Sequence, residues 1–218
     1  MRRYAAIWAL LITAMTQPSL AQGMDYTPGF DAGAPDEMDA LPFKSGQYQV
    51  SLFFPSTPTE ENPNWLKWTD VSAEFSSRYQ SALWIEDNVG FPIRPGNASA
   101  GGLESWSYLT TWTYDRFNMV FRAIYHDNVL GLADIYEGNI EDGKFVLSNL
   151  NTSTYNTQGT DGGRQKNRII IESGADDSFV LTWFTLDAVA ATSNIVADQK
   201  WVWSVKMEYS ALSDANID

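Results

Sequence analysis

The 218-residue sequence predicts an all-β fold, a single antiparallel up-and-down barrel of about ten strands. Three observations predict it. Beyond Pro42 the apolar residues recur with period two in short segments, as strands with one buried face require. The connections Tyr114-Asp115-Arg116-Phe117, His126-Asp127-Asn128, Glu141-Asp142-Gly143 and Ala175-Asp176-Asp177 are tight turns, which only antiparallel neighbours can use. Ten such strands in an open sheet would leave two long unpaired edges, and closure removes them. More than about eight strands make a barrel too wide for side chains alone to fill, so an interior site is expected. A two-sheet sandwich is the competing arrangement.

Residues 1–21 read as an export signal: Arg2 and Arg3, an apolar run from Ala5 to Ala14, then Pro18, Ser19, Leu20 and Ala21 as a small-residue cleavage site. A periplasmic or secreted location follows from that reading. Residues 22–42 carry Asp25, Asp31, Asp36, Glu37 and Asp39 among prolines and glycines, and read as a flexible acidic leader. The barrel is expected over 43–210, with a short tail over 211–218. Strands are placed at Gly46–Phe54, Thr69–Tyr79, Ser81–Glu86, Leu103–Tyr114, Asn118–Tyr125, Leu130–Glu137, Lys144–Leu150, Arg164–Glu172, Ser178–Leu186 and Lys200–Ser210. The connection Pro55–Trp68 has room for a short helix whose tryptophans close one end of the sheet. Asp187–Gln199 reads as a helical turn or a loop packed on the rim.

Composition excludes many activities. Without residues 1–21 the chain has 12 basic and 27 acidic residues, a formal charge of −15, which suits neither nucleic acid nor anionic lipid. There is no cysteine, so disulfides, thiolate metal sites and cysteine nucleophiles are absent. One histidine, His126, is too few for a multi-histidine metal site, and no metal or cofactor is expected. No segment offers about 18 uninterrupted apolar residues for a membrane-spanning helix. The glycine-rich stretches at 95–102 and 160–163 lack the lysine and context of phosphate loops.

The candidate binding residues are aromatic. Trp106, Tyr108, Trp112 and Tyr114 share one strand face; Trp201 and Trp203 continue with Val205, Met207 and Tyr209 in the last strand; Trp183 lies between. Pointing inward, these rows would line a wide apolar lumen carrying hydroxyl and indole N–H groups. Ordinary sheet packing is the simpler explanation for any single ring. Arg122 shares its parity with Val120, Ile124 and His126, and would either pair with an acidic neighbour or hold an anionic ligand. Asp134 and Tyr136 share a face, so Asp134, His126, Tyr108 and Tyr136 are the candidate proton handlers. Arg164, Lys166 and Arg168 form one locally basic edge, on either the outer or the inner face.

The opening Gly46-x-Tyr48, the segment Gly102-Leu103-Glu104-Ser105-Trp106-Ser107-Tyr108, Thr113-Tyr114-Asp115, Gly131 to Gly138 around Asp134, Asp142-Gly143-Lys144 and the closing Trp201 to Tyr209 together resemble a bacterial family. It is the group of exported lipocalin-like proteins known as domain of unknown function 1579 (DUF1579), and the likeness runs from about Phe43 to Ser210. The resemblance implies a barrel of roughly ten strands around a central cavity, and no assigned chemistry. Haem-binding relatives of related shape use a histidine ligand; His126 sits at a turn, not in the last strand, and the resemblance does not extend to haem. The expected function is therefore a binding protein for a small hydrophobic or amphipathic molecule. The alternatives are a cofactor-independent isomerase, cyclase, hydratase or lyase acting on such a molecule, and a structural envelope protein.

Overall fold

The computed structural model describes residues 34–92, 105–128, 133–152, 166–186 and 201–212. A 3-10 helix, Asp36–Ala40, precedes ten strands: β1 (Gly46–Pro55), β2 (Trp65–Arg78), β3 (Leu83–Pro92), β4 (Ser105–Asp115), β5 (Val120–Asp127), β6 (Ala133–Glu141), β7 (Lys144–Ser148), β8 (Asn167–Ser173), β9 (Ser178–Leu186) and β10 (Trp201–Ala211). Each pairs antiparallel with its neighbours in sequence, and β1 pairs with β10, so the sheet closes into a barrel. The export signal and the rim segment 187–199 lie outside the described residues. So do the glycine-rich stretches.

All ten expected strands form, with different ends. The region Pro55–Trp68 contributes no helix: Pro55 pairs with Trp65, and Ser56 N–H donates to Asn64 O at 2.8 Å, so β2 starts early and the loop is confined to 56–64. At the opposite end of β2 the chain reverses through 79–82. The β6–β7 turn is a two-residue reversal in which Asp142 and Gly143 both have positive φ, 50° and 77°. Such a turn matches the right-handed twist of a hairpin, and Gly adopts that backbone without a Cβ clash. In the β4–β5 turn the Asp115 carboxylate accepts the backbone N–H of Phe117 and Asn118, at 2.9 and 3.1 Å. A short side chain thus satisfies the reversal locally.

These tight turns all fall at one end of the barrel. The longer connections fall at the other, hereafter the loop end. Residues 34–42, expected to belong to a flexible leader, close the tight-turn end together with Phe43. Met38, Leu41 and Phe43 are buried while Asp36, Glu37 and Asp39 stay in water. The Phe43 ring lies 4.9 Å from Phe75, 5.2 Å from Trp112 and 5.3 Å from Phe179. Three apolar side chains among the acidic residues are enough to dock the segment, because burying them removes apolar surface from water. Met38→Ala is expected to cost about 2 kcal/mol of stability in denaturant unfolding. A cost near zero would mean that the plug is undocked in solution.

Above the plug the interior holds interlocking side chains. Tyr48, Phe75, Phe179 and Tyr209 interlock, with Phe179 stacked on Tyr209 at 4.3 Å. Val50, Leu52, Leu147, Ile169, Ile171 and Met207 fill the spaces between. No helix among the described residues is long and apolar enough to cross a membrane.

Candidate functional site

Strand parity decides which side chains reach the interior. On β3, Trp84 pairs with Trp112 and Asn88 with Tyr108, so Trp84, Glu86 and Asn88 face inward. A bulge after Asn88 brings Phe91 onto the same face, opposite Trp106. The β4 row of rings expected from the sequence does point inward. In the loop-end half it joins a continuous aromatic wall: Phe91 to Trp106 at 5.7 Å, Trp106 to Tyr108 at 5.6 Å, Tyr108 to Tyr125 at 5.3 Å, Tyr125 to Trp183 at 5.4 Å and Trp183 to Tyr136 at 5.3 Å.

Beneath this wall lies a buried polar cluster. Tyr209 Oη donates to Glu86 Oε1 at 2.6 Å, and Tyr108 Oη reaches the same oxygen at 2.9 Å. The two hydroxyls are 2.9 Å apart, and Asn88 Nδ2 donates to Tyr108 Oη at 3.3 Å. Glu86 is 1% exposed and Asn88 is fully buried. Burial pushes the Glu86 carboxyl from 4.5 up to about 7; the two phenols, and more weakly the nearby Trp112 indole, pull it back down. Burial and the neighbouring carboxyl raise both phenols well above their ordinary range, so they remain hydrogen-bond donors.

Among the described residues three buried side-chain polar atoms have no hydrogen-bond partner: Asn88 Oδ1, Trp106 Nε1 and Trp112 Nε1. The Trp106 indole lies towards the Tyr125 hydroxyl and Trp112 towards Glu86, close enough to lower the pKa of each but short of hydrogen-bond geometry. Asn88 Oδ1 is an acceptor facing the interior with nothing to accept. Leaving such an atom dry costs roughly 1–3 kcal/mol.

A second cluster is internally satisfied. Asp134 Oδ2 accepts from Tyr136 Oη at 2.6 Å and from Asn149 Nδ2 at 2.9 Å. Asn149 Oδ1 accepts the Asn167 backbone N–H at 2.7 Å, and Asn167 Nδ2 reaches Tyr136 Oη at 3.4 Å. These groups tie β6 to β8 where β7 ends early. The expected proton handlers Asp134 and Tyr136 are therefore together, as part of a structural network.

Other candidates lie elsewhere. Trp112 is inside but packed under Phe43, near the plug. Trp201 and Trp203, expected in the lumen, are on the outer surface. In the β9–β10 ladder Trp203 pairs with Phe184 and Val205 with Trp183, leaving Ser204 as an extra residue. One extra residue reverses the parity of everything before it. Trp203 packs tilted against Phe184 at 4.4 Å and edge-to-face with Trp65 at 5.5 Å, and its indole donates to Glu60 O. Arg168 lies over Trp201 at 4.4 Å, so this residue of the basic edge faces out; Arg164 lies outside the described residues.

Arg122 and His126 also face outward, because Phe121, Ala123 and Tyr125 take the inner positions on β5. Arg122 bridges Asp115 and Glu137, each at 2.7 Å, beside a shallow outer depression of about 400 Å³ lined also by Ile124, Ile135, Asn151 and Thr152. Arg122→Ala is accordingly expected to leave the affinity of any ligand held inside the barrel unchanged within about twofold, measured by titration calorimetry.

The sequence reading missed Glu86, Asn88, Tyr125 and Phe91. Extending the alternation from Trp84 through Glu86 to Asn88 would have found the first two. Among the described residues no group of three or more potential metal ligands occurs. No family model matches the chain, and no curated protein matches it. What the architecture supports is a lipocalin-like barrel of about ten strands, a build suited to ligand binding in general.

Proposed function

We propose that the barrel is a binding protein for one small hydrophobic or amphipathic molecule, entering at the loop end and lying against the wall of Phe91, Trp106, Tyr108, Tyr125 and Trp183. The observation that carries this reading is the unpaired, fully buried Asn88 Oδ1 beside that wall. A packed structural core has no reason to keep an unmet acceptor where a Leu would fill the space. The export signal read over residues 1–21 supports a periplasmic or secreted place of action. Kinship with the DUF1579 group rests on the short motifs alone.

Native mass spectrometry of the gently purified protein tests the reading, with a bound mass expected. Trp106→Ala should release that mass, whereas Trp203→Ala, on the outer face, should retain it. Absence of any bound mass from several expression hosts would overturn the proposal. A second reading, proton-transfer catalysis without a cofactor, is favoured by Glu86 alone, whose carboxyl titrates near 7 between two phenols. It would place the acid–base group at Glu86, with His126 outside the barrel taking no part.

A further inference from the structure

Among the described residues the charges inside the barrel are of one sign. Among the described residues every lysine and arginine is directed away from the interior. Lys44 pairs with Asp177, Lys67 with Asp70, Lys144 with Glu172 and Lys206 with Glu208, while Arg122 and Arg168 sit on the outer face as described. Lys166 donates to the carbonyls of Asn149, Leu150 and Thr152 on the loop-end rim, and Arg78 and Arg116 are exposed at the tight turns. Among the described residues Glu86, Asp134 and Asp127 face in. Asp127 has the parity of Tyr125 on β5 and pairs across to Tyr108; its charge raises the Tyr125 pKa further, after burial.

Among the described residues no lysine or arginine faces Glu86, so a carboxylate or phosphate head group placed there would meet its carboxyl without an offsetting cation. The interior offers the reverse: acceptors and π-faces. Asn88 Oδ1 is an unpaired acceptor, Glu86 is a carboxyl, and Trp106, Tyr108 and Tyr125 present rings within 6.5 Å of one another. Aromatic faces stabilise a cation through their quadrupole, most strongly where water is excluded. From this juxtaposition we infer that the molecule bound in the barrel is a protonated organic amine, its ammonium held by Glu86 and Asn88 Oδ1 and flanked by the Trp106, Tyr108 and Tyr125 rings. The inference rests on the binding reading above and narrows it to one ligand class.

Pairing requires Glu86 in its ionised form, so binding displaces its proton. The titratable groups that face Glu86 are Tyr108 of β4 and Tyr209 of β10; β2 presents Phe75, and Tyr125 acts on Tyr209 at longer range. With the carboxyl near 7 in the empty protein, affinity for an amine should rise about tenfold from pH 6 to pH 8, with close to one proton released per amine bound at pH 6.

Titration calorimetry of the full protein with 2-phenylethylamine, 2-phenylethanol and phenylacetate at pH 6 and 8 is the test, with Glu86→Gln as the comparison. The amine should bind at least tenfold more tightly than either analogue at pH 8. The pH dependence and the amine preference should both vanish in Glu86→Gln, whose folding is checked by its near-ultraviolet circular dichroism. Equal binding of all three, or preference for phenylacetate, overturns the amine assignment and leaves the binding reading standing. If no probe binds at millimolar concentration, the amine assignment also falls, and the binding reading is decided by the co-purified mass. A co-purified molecule without a basic nitrogen overturns the assignment independently.

Discussion

Glu86→Ala is expected to destabilise the protein by about 3–5 kcal/mol. It removes the acceptor shared by Tyr108 and Tyr209, leaves two buried hydroxyls competing for each other, and removes buried side-chain volume beside them. Glu86→Gln keeps an acceptor oxygen and the volume, and at acid pH should cost far less. The sign of the pH effect follows from the raised pKa. Between 4.5 and about 7 the folded chain holds a proton that the unfolded chain has released. The stability contributed by this group is therefore fully present below 4.5 and lost as pH rises to 7, a decrease of about 3 kcal/mol at about 1.4 kcal/mol per pKa unit. The depressed Asp70 and Asp115 carboxyls act in the opposite sense and at lower pH, below their ordinary 3.8. Urea unfolding of wild type and Glu86→Gln at pH 5 and pH 8 isolates the difference. Identical slopes for the two proteins would show that Glu86 ionises as an ordinary exposed carboxyl.

Gly138→Ala is expected to be at least as damaging, costing more than about 3 kcal/mol or preventing folding. Gly138 pairs with Phe121 on β5 and Leu147 on β7. A Cβ at this position would lie 1.8 Å from Val146 O and 2.7 Å from Leu147 Cα, both backbone atoms of the adjoining strand. Neither can rotate away, so the ladder between β6 and β7 must open. By contrast Gly46 and Gly143 have open space around a Cβ, and their substitution costs only the backbone strain of a positive φ. Thermal unfolding of the three alanine variants should rank Gly138→Ala lowest by a wide margin; similar midpoints would refute the close approach of the two strands.

Much of the wall was legible before any coordinates. The alternation of Trp106, Tyr108 and Trp112 against serine and threonine could serve only one buried face, and Asp134 with Tyr136 followed the same rule. The reading failed where parity was interrupted. Ser204 as an extra residue turns Trp201 and Trp203 outward, and the bulge after Asn88 returns Phe91 to the inside. A bulge arises from the registration of two strands against each other, so neither strand's own sequence announces it. The plug was missed for a related reason: Met38, Leu41 and Phe43 carry no period of their own and gain order only from the barrel end that receives them.

Local chemistry by itself determined the strand count, the antiparallel order, the tight reversals at Asp142-Gly143 and Asp176-Asp177, and the exclusion of thiolate and multi-histidine sites. Those depend on neighbours in sequence. Tertiary structure alone decided that the lysines and arginines among the described residues turn out, and that Glu86 meets Tyr209, 123 residues away. Charge composition is blind to side. A carboxyl's acidity and partners are set by which strands the closing of the cylinder brings around it, and that contact exists only once β1 has met β10.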